Sequence, residues 1–408
     1  MQVEATAESE VAQPFDDRIT AAERRILAAL CLGTFVGVLT FVAPAPFFLA
    51  MAHDLRVSVP LVGQVVAAML LLSAVVGLIS GPLADRFGHR RMIVFGLAAT
   101  AICFLCFGLA PAFPALLLAA LAGGLGNAAV LGPSLAVAGT AFGGPRARRA
   151  LGWTTAAMAG SAIIGVPILS ALGAASGWRT AFLTTSLVVA GIAWLGHAWL
   201  PRDVGRAGDR LGGERLFAAY RPLLHHAPTL RLYGVAVLRA ICWYGMLTYF
   251  GAFLGQRLGL STGQVGLAYM LGGGGYFLGS LAAGGPLGGV PSQRLLVVGN
   301  LTMAVLMGVA YSALLGPLGS VLMLPFAGAT GALGFVAVVT LLTAGSPVGA
   351  GTTMTLHGSL FNLGAAVGGA LGGLALAMAG YSGLAVVLPI FGVSSALLAW
   401  WPGQQGGH

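Results

Sequence analysis

Long apolar runs separated by short polar breaks recur from residue 26 almost to the end of the chain, and the runs do not alternate as barrel strands do. Twelve spans are predicted, at residues 26–52, 60–82, 92–110, 115–140, 150–173, 180–200, 230–254, 263–284, 295–315, 320–343, 350–378 and 383–401. Each approaches the ~20 residues that cross a ~30 Å hydrocarbon layer as a helix, the form that satisfies every backbone donor and acceptor without water. The fold class read from this pattern is an all-α membrane protein.

Composition agrees: 58% of residues are hydrophobic, 64 are glycine and the mean hydropathy is +0.92, more than a water-soluble core of 408 residues needs. The net charge of +9 would suggest nucleic acid in a soluble protein, but its distribution argues otherwise. All twenty basic residues are arginine, and with loops assigned to alternate sides sixteen of them fall on the side of the N-terminus. Arg56, Arg179 and Arg257 fall on the other, and Arg239 lies within a span. The positive-inside rule then places both termini and the long central loop in the cytoplasm, and no nucleic-acid partner is expected. About 25 polar residues precede the first span without a small-residue cleavage site, so that span reads as a retained anchor. Cys31, Cys103, Cys106 and Cys242 all lie in spans, and the Cys103/Cys106 pair reads as two small apolar neighbours rather than a metal or redox site.

The chain repeats itself. GPLADRFGHRR at 81–91 aligns without a gap with GPLGGVPSQRL at 285–295, an offset of 204 residues, half of 408. DLRVSVPLVG at 54–63 aligns with RLGLSTGQVG at 257–266, and Gly177 with Gly380, both at an offset of 203. Six spans per half is an even number, so the halves enter from the same side and are related by an axis along the membrane normal. The predicted organisation is a tail at 1–25, six-helix bundles at 26–200 and 230–401, a linker at 201–229 and a tail at 402–408. Within the linker, Leu216, Phe217, Tyr220, Leu223 and Leu224 share one helical face, which suits either the inner leaflet or a solvated tether. Any substrate site should lie between the halves near mid-membrane.

The 81–91 segment closely resembles the loop 2–3 signature of the major facilitator superfamily, G-x-L-x-D-R-x-G-x-R-R, through Gly81, Leu83, Asp85, Arg86, Gly88, Arg90 and Arg91. GVPILSALGAASGWRTAF at 165–182 and GSLFNLGAAVGGALGG at 358–373 are similar to helices 5 and 11 of the drug:proton antiporters, particularly the arabinose-efflux-permease-like branch. That resemblance implies twelve helices in two pseudo-symmetric bundles, and proton antiport of a drug, natural product, sugar or nucleoside. It also implies a gate in which Asp85 meets the start of helix 11, read here as Ser346-Pro347, while the arginines bridge cytoplasmic helix ends. Two departures stand out: Ala120 occupies the position of the helix 4 arginine, and Val166 separates Gly165 from Pro167, a variant associated with sugar, nucleobase and chloramphenicol exporters.

Arg239 sits about eight residues into span 7, hence ~12 Å into the hydrocarbon at ~1.5 Å per residue, where a charge is costly unless it faces the bundle interior. Two placements follow: a fixed positive charge in the central cavity attracting an anionic or polar substrate group, or a side chain snorkelling to lipid phosphates. Trp243, Tyr244 and Tyr249 supply aromatic faces beside it, and Asn127 and Asn362 supply polar groups for orienting a ligand. No carboxylate falls at mid-membrane, so the candidates for proton coupling are Asp54, opposite Arg257 at the outer mouth, and His357 in span 11. The glycine run 272–275 lacks the lysine and strand context of a phosphate loop and reads as close helix packing.

No enzyme site, metal cluster or cofactor motif is legible. The expected function is a monomeric, multi-pass exporter of small molecules in a bacterial inner membrane, with protons and lipid as its other partners. Uptake or uncoupled permeation on the same fold, and a non-transporting membrane sensor, are the rival readings.

Overall fold

The computed structural model describes residues 20–142, 145–202, 220–312 and 314–400. Among these, eleven helices are long and apolar enough to cross a bilayer. They are α1 (Ala21–Leu55), α2 (Val59–Phe87), α3 (His89–Leu109), α4 (Phe113–Thr140), α5 (Pro145–Gly160, continued through Val166–Ser176), α6 (Trp178–Trp199), α7 (Ala227–Leu258), α8 (Thr262–Gly284), α9 (Ser292–Tyr311), α10 (Gly316–Ala344) and a last segment, Ala350–Trp400. That segment has 51 residues, and at ~1.5 Å per residue a straight helix of this length would far exceed a ~30 Å layer. It turns back at Gly380, whose φ of 65° is open to glycine at little cost, and so supplies α11 (350–379) and α12 (381–400). Twelve spans result, as the hydropathy pattern predicts.

The neighbours of each helix repeat from one half to the other. In the N-terminal half α1 packs on α5, α2 on α4, and α3 on both α4 and α6; in the C-terminal half α7 packs on α11, α8 on α10, and α9 on both α10 and α12. The duplication seen in sequence is therefore a duplication of packing. Exposed apolar side chains are spread over most of the helices, as a lipid-facing perimeter requires, among them Ile102 of α3, Leu187 and Trp194 of α6, Leu278 of α8, Val305 of α9, Phe326 of α10 and Ile390 of α12. Both halves start an element with a reciprocal cap, Thr20 with Glu23 before α1 and Ser261 with Gln264 before α8.

Small residues set the helix spacing. In the run 272–275, a Cβ on Gly275 would stand 2.0 Å from the Pro325 carbonyl oxygen of α10, and one on Gly273 would stand 2.8 Å from Ala162 of α5. The run lets α8 lie hard against helices on two sides, which is the packing role read from sequence. Helix α5 widens into one π-helical turn at Ser161–Gly165, just before Pro167, and the Ser161 hydroxyl donates to the Phe35 carbonyl of α1 at 2.6 Å.

One expectation needs correction. Helix α11 begins at Ala350, not at Ser346-Pro347: the Ser346 hydroxyl is turned inward, accepting from the Val348 amide at 3.2 Å and bonded to the Thr353 hydroxyl at 2.5 Å, so it closes a turn before the helix. The first helix starts at Ala21, earlier than residue 26, because the Thr20–Glu23 cap adds a turn of polar helix below the apolar run. The linker expectations at residues 203–219, including Leu216 and Phe217, lie outside the described residues, as do those on most of the tails. At the end of that stretch Tyr220 and Leu223 are buried in a cluster with Tyr233, Leu296 and Leu356, the Tyr220 hydroxyl donates to the Leu78 carbonyl of α2 at 3.2 Å, and Leu224 is exposed.

Candidate functional site between the halves

The two halves meet along α2 against α11 and α5 against α8, helices that the duplication relates to one another. Call the side where α1 begins the near side. On the far side the seam is tight: Gly63 of α2 leaves room for Tyr249 of α7, whose hydroxyl oxygen would lie 2.2 Å from a Cβ at that glycine. The same hydroxyl donates to the Gly369 carbonyl at 2.8 Å, with the Pro60 carbonyl 3.5 Å away. Gly266 of α8 presses on Ser170 of α5, and Gly251 of α7 on the Ala45 carbonyl of α1. Tyr249 is fully buried in this seam, so the structure places it in a closure between halves rather than on open space.

At mid-height a hydrogen-bonded relay crosses from one half to the other. The Asn362 amide of α11 donates to the Ser73 hydroxyl of α2 at 3.2 Å, Ser73 donates to Asn127 Oδ1 of α4 at 2.5 Å, and the Asn127 amide donates to the Gly37 carbonyl of α1 at 2.8 Å. The two predicted asparagines are thus joined through a serine that the sequence did not single out. Ser73→Ala is expected to leave Asn127 Oδ1 and the Asn362 amide short of a partner, and to lower the apparent Tm in detergent by about 2–6 °C. An unchanged Tm would mean that the relay does not hold the halves.

Beside the relay lies an aromatic compartment. Phe41 of α1 meets Tyr244 edge-on at 5.7 Å, Tyr244 meets Phe361 at 5.4 Å, Phe361 meets Phe335 at 5.7 Å, and Phe335 meets Tyr276 at 6.4 Å. Tyr244, Tyr276, Phe335, Phe361 and Asn362 remain partly exposed although they sit deep in the protein, which marks them as bordering open space. Trp243 backs Tyr276 at 6.4 Å. His357 lies between Phe335 and Phe361, its ring 6.0 Å from each and tilted by 42° and 41°; it is 5% exposed and neither ring nitrogen has a hydrogen-bond partner.

Arg239 is neither snorkelling nor projecting freely into this space. It is 1% exposed, with Nε donating to Asn300 Oδ1 of α9 at 3.2 Å, Nη2 donating to the Gly331 carbonyl of α10 at 2.5 Å, and the guanidinium carbon 5.5 Å above the Phe335 ring. Asn300 in turn donates to Ser395 of α12 at 2.8 Å, and Ser395 to the Val235 carbonyl of α7 at 2.9 Å. A ring of bonds through α7, α9 and α12, with a further bond to α10, holds the charge at the wall of the compartment. Asn300, Phe335 and Phe361 were missed in sequence; a lone carboxamide within span 9 was the available signal.

On the near side, Gly88 ends α2 and begins α3 with a φ of 92°, a turn that glycine permits. Asp85 is about half exposed, with the His89 ring 3.9 Å away in its own half, and among the described residues it makes no hydrogen bond or ion pair with α11. Arg90 reaches the His197 carbonyl at the end of α6 at 2.6 Å, joining two helix ends within the N-terminal half. Arg86 lies over the Phe87 ring at 5.4 Å, Arg91 is exposed, and no atom lies within 4 Å of a Cβ placed on Gly81. The far-side latch between Asp54 and Arg257 is not formed: Asp54 accepts from Trp178 Nε1 at 2.8 Å within its own half, because α6 starts beside the end of α1.

The sequence matches the Major Facilitator Superfamily over residues 30–350. Among curated proteins, the uncharacterized MFS-type transporter YceJ of Bacillus subtilis (strain 168) is 28% identical over 282 residues, 68% of this chain and 70% of that one. The 3-(3-hydroxy-phenyl)propionate transporter of Escherichia coli (strain K12) is 32% identical over 152 residues, 36% of each chain. Among solved structures, a bacterial homolog of the human lysosomal transporter Spinster, inward-facing and unoccupied, superposes with a TM-score of 0.71 at 16% identity, covering 94% of this chain and 95% of that one. A point mutant of the nucleoside transporter NupG superposes with a TM-score of 0.70 at 15% identity, covering 92% of this chain and 98% of that one. With a duplicated twelve-helix bundle, a seam along α2/α11 and α5/α8, and a family match across most of its length, this chain belongs to the Major Facilitator Superfamily of membrane transporters.

Proposed function

We propose that this protein exports a small ring-bearing molecule across a bacterial inner membrane in exchange for protons, acting as a monomer with both termini in the cytoplasm. The bodies that move are residues 26–200 and 230–401, and they rock about the seam to expose the aromatic compartment to one side and then the other. The observation that carries alternating access is the asymmetry of the seam. It is zipped by Tyr249, Gly63 and Gly266 on the far side, while Asp85 on the near side stands unengaged with the other half. On the proposed topology this is an inward-facing arrangement, and closure of the near side brings Asp85 to the start of α11. His357, buried without partners beside the cargo space, is the proton carrier on this reading.

One observation favours a second reading, uptake or uncoupled permeation. Among the described residues no carboxylate sits at mid-membrane, since Glu23, Asp54 and Asp85 all lie near helix ends, and Ala120 occupies the helix 4 arginine position. Proteoliposomes decide between them. With a pH gradient imposed, the exporter concentrates a ring-bearing cargo against its own gradient into the acidic compartment. Equilibration without accumulation establishes permeation, and accumulation on the alkaline side establishes proton-coupled uptake.

A further inference from the structure

We propose that the cargo is an anion: a ring carrying a carboxylate or a comparable oxyanion, with its negative charge balanced by Arg239. This assignment rests on the transport reading and names its substrate class. Its first support is a missing partner. Arg239 is 1% exposed deep in α7, and its hydrogen bonds go to two neutral acceptors, Asn300 Oδ1 and the Gly331 carbonyl. None of the ion pairs among the described residues includes it, and Glu23, Asp54 and Asp85, the carboxylates described, are held at helix ends by Arg146, Trp178 and the neighbourhood of His89. A buried cation of this kind is costly, and bundles retain one where a pathway or ligand completes the charge.

The second support is what stands next to it. The guanidinium lies on the Phe335 ring, and that ring is a wall of the compartment shared with Phe361, Tyr244 and Tyr276. Both phenols stand in the field of the guanidinium. On the same wall His357 is 5% exposed, leaving two ring nitrogens with nothing to bond. A neutral imidazole offers one donor and one acceptor, and a phenol offers both, so an oxyanion entering here finds donors from His357 and the tyrosines and a fixed positive charge behind them. The aromatic faces then take its ring. A cation would meet Arg239 head-on, and an aliphatic solute would leave the aromatic faces without a ring to stack on.

The test uses purified full-length protein in detergent, with benzoate, 3-phenylpropionate, their two amides and phenethylamine as probes, read as thermal stabilisation against concentration. The expected result is stabilisation by at least one acid, half-saturating at a concentration at least about ten times lower than its amide, with phenethylamine inert. Arg239→Lys should keep the preference for acid over amide, and Arg239→Gln should abolish it; if the glutamine variant does not fold, the acid–amide comparison on the unaltered protein and the lysine variant still decides. His357→Gln should weaken acid binding more than about tenfold without removing the acid–amide difference. Amides or the amine binding as tightly as the acids, or no acid binding at all, overturns the assignment. Should liposomes carry a neutral or cationic ring compound and ignore the acids, the substrate class falls while transport stands; acids that bind but never cross leave the class standing and remove transport.

Discussion

Replacing Gly275 with valine will abolish recovery of folded protein, while Gly274→Ala, one residue away, will behave as the unaltered chain. At Gly275 the first added carbon would stand 2.0 Å from the Pro325 carbonyl oxygen and 2.6 Å from its Cα, and both are backbone atoms that no rotamer change can move. Nothing lies within 4 Å of the corresponding position on Gly274. Helix α8 would have to withdraw from α10, the partner against which it is most closely seated in its half, at a cost of about 3 kcal/mol or more once overpacking and the lost contacts are combined. The check is monodisperse yield from membranes followed by thermal unfolding. Equal yield and equal Tm for Gly275→Val would show that α8 and α10 do not approach as described.

The second large effect is on rate rather than on folding. Asp85→Asn is expected to slow cargo transport in proteoliposomes at least about tenfold, equivalent to about 1.4 kcal/mol on the closing step, and to leave Tm within about a degree of the unaltered protein. In the conformation described above Asp85 is about half exposed, and the His89 ring nitrogen nearest to it is 3.9 Å away, too far for a hydrogen bond, so the contact contributes little to stability. Its worth is proposed to lie in the other state, in which a carboxylate meets the positive end of α11 and an amide in its place supplies no charge. Turnover equal to that of the unaltered protein would remove the near-side gate. A drop in Tm matching the loss of transport would assign Asp85 to folding instead.

Much of the architecture was legible because hydropathy and repetition report on single helices and on their order. The twelve spans, the match of Gly177 with Gly380 and the packing role of 272–275 all follow from local composition plus one internal alignment. Partner choice was not legible. Asp54 was matched with Arg257 by the repeat, yet Trp178 takes it, because the start of α6 lies closer than the opposite half. Arg239 was expected in the cavity or at the lipid, and its fastening to Asn300 and Gly331, residues 61 and 92 positions away, was not foreseen. Such bonds depend on which helices are neighbours and on how each is rotated, which a linear pattern does not encode. The start of α11 failed for a local reason: Ser346 satisfies a loop amide as readily as a helix start, and Pro347 suits either.

Two glycines, Gly177 with φ 83° and Gly380 with φ 65°, make the whole connection from α5 to α6 and from α11 to α12. With no slack between them, each seam helix drags a lipid-facing helix along whenever it tilts. Reorientation of the pocket in the proposed cycle would therefore be felt at the rim of the molecule, where the annular lipids would have to rearrange around it. Acyl-chain length should consequently set the pace of the cycle: reconstitution into thinner or thicker bilayers should change its speed even where affinity for the cargo stays constant.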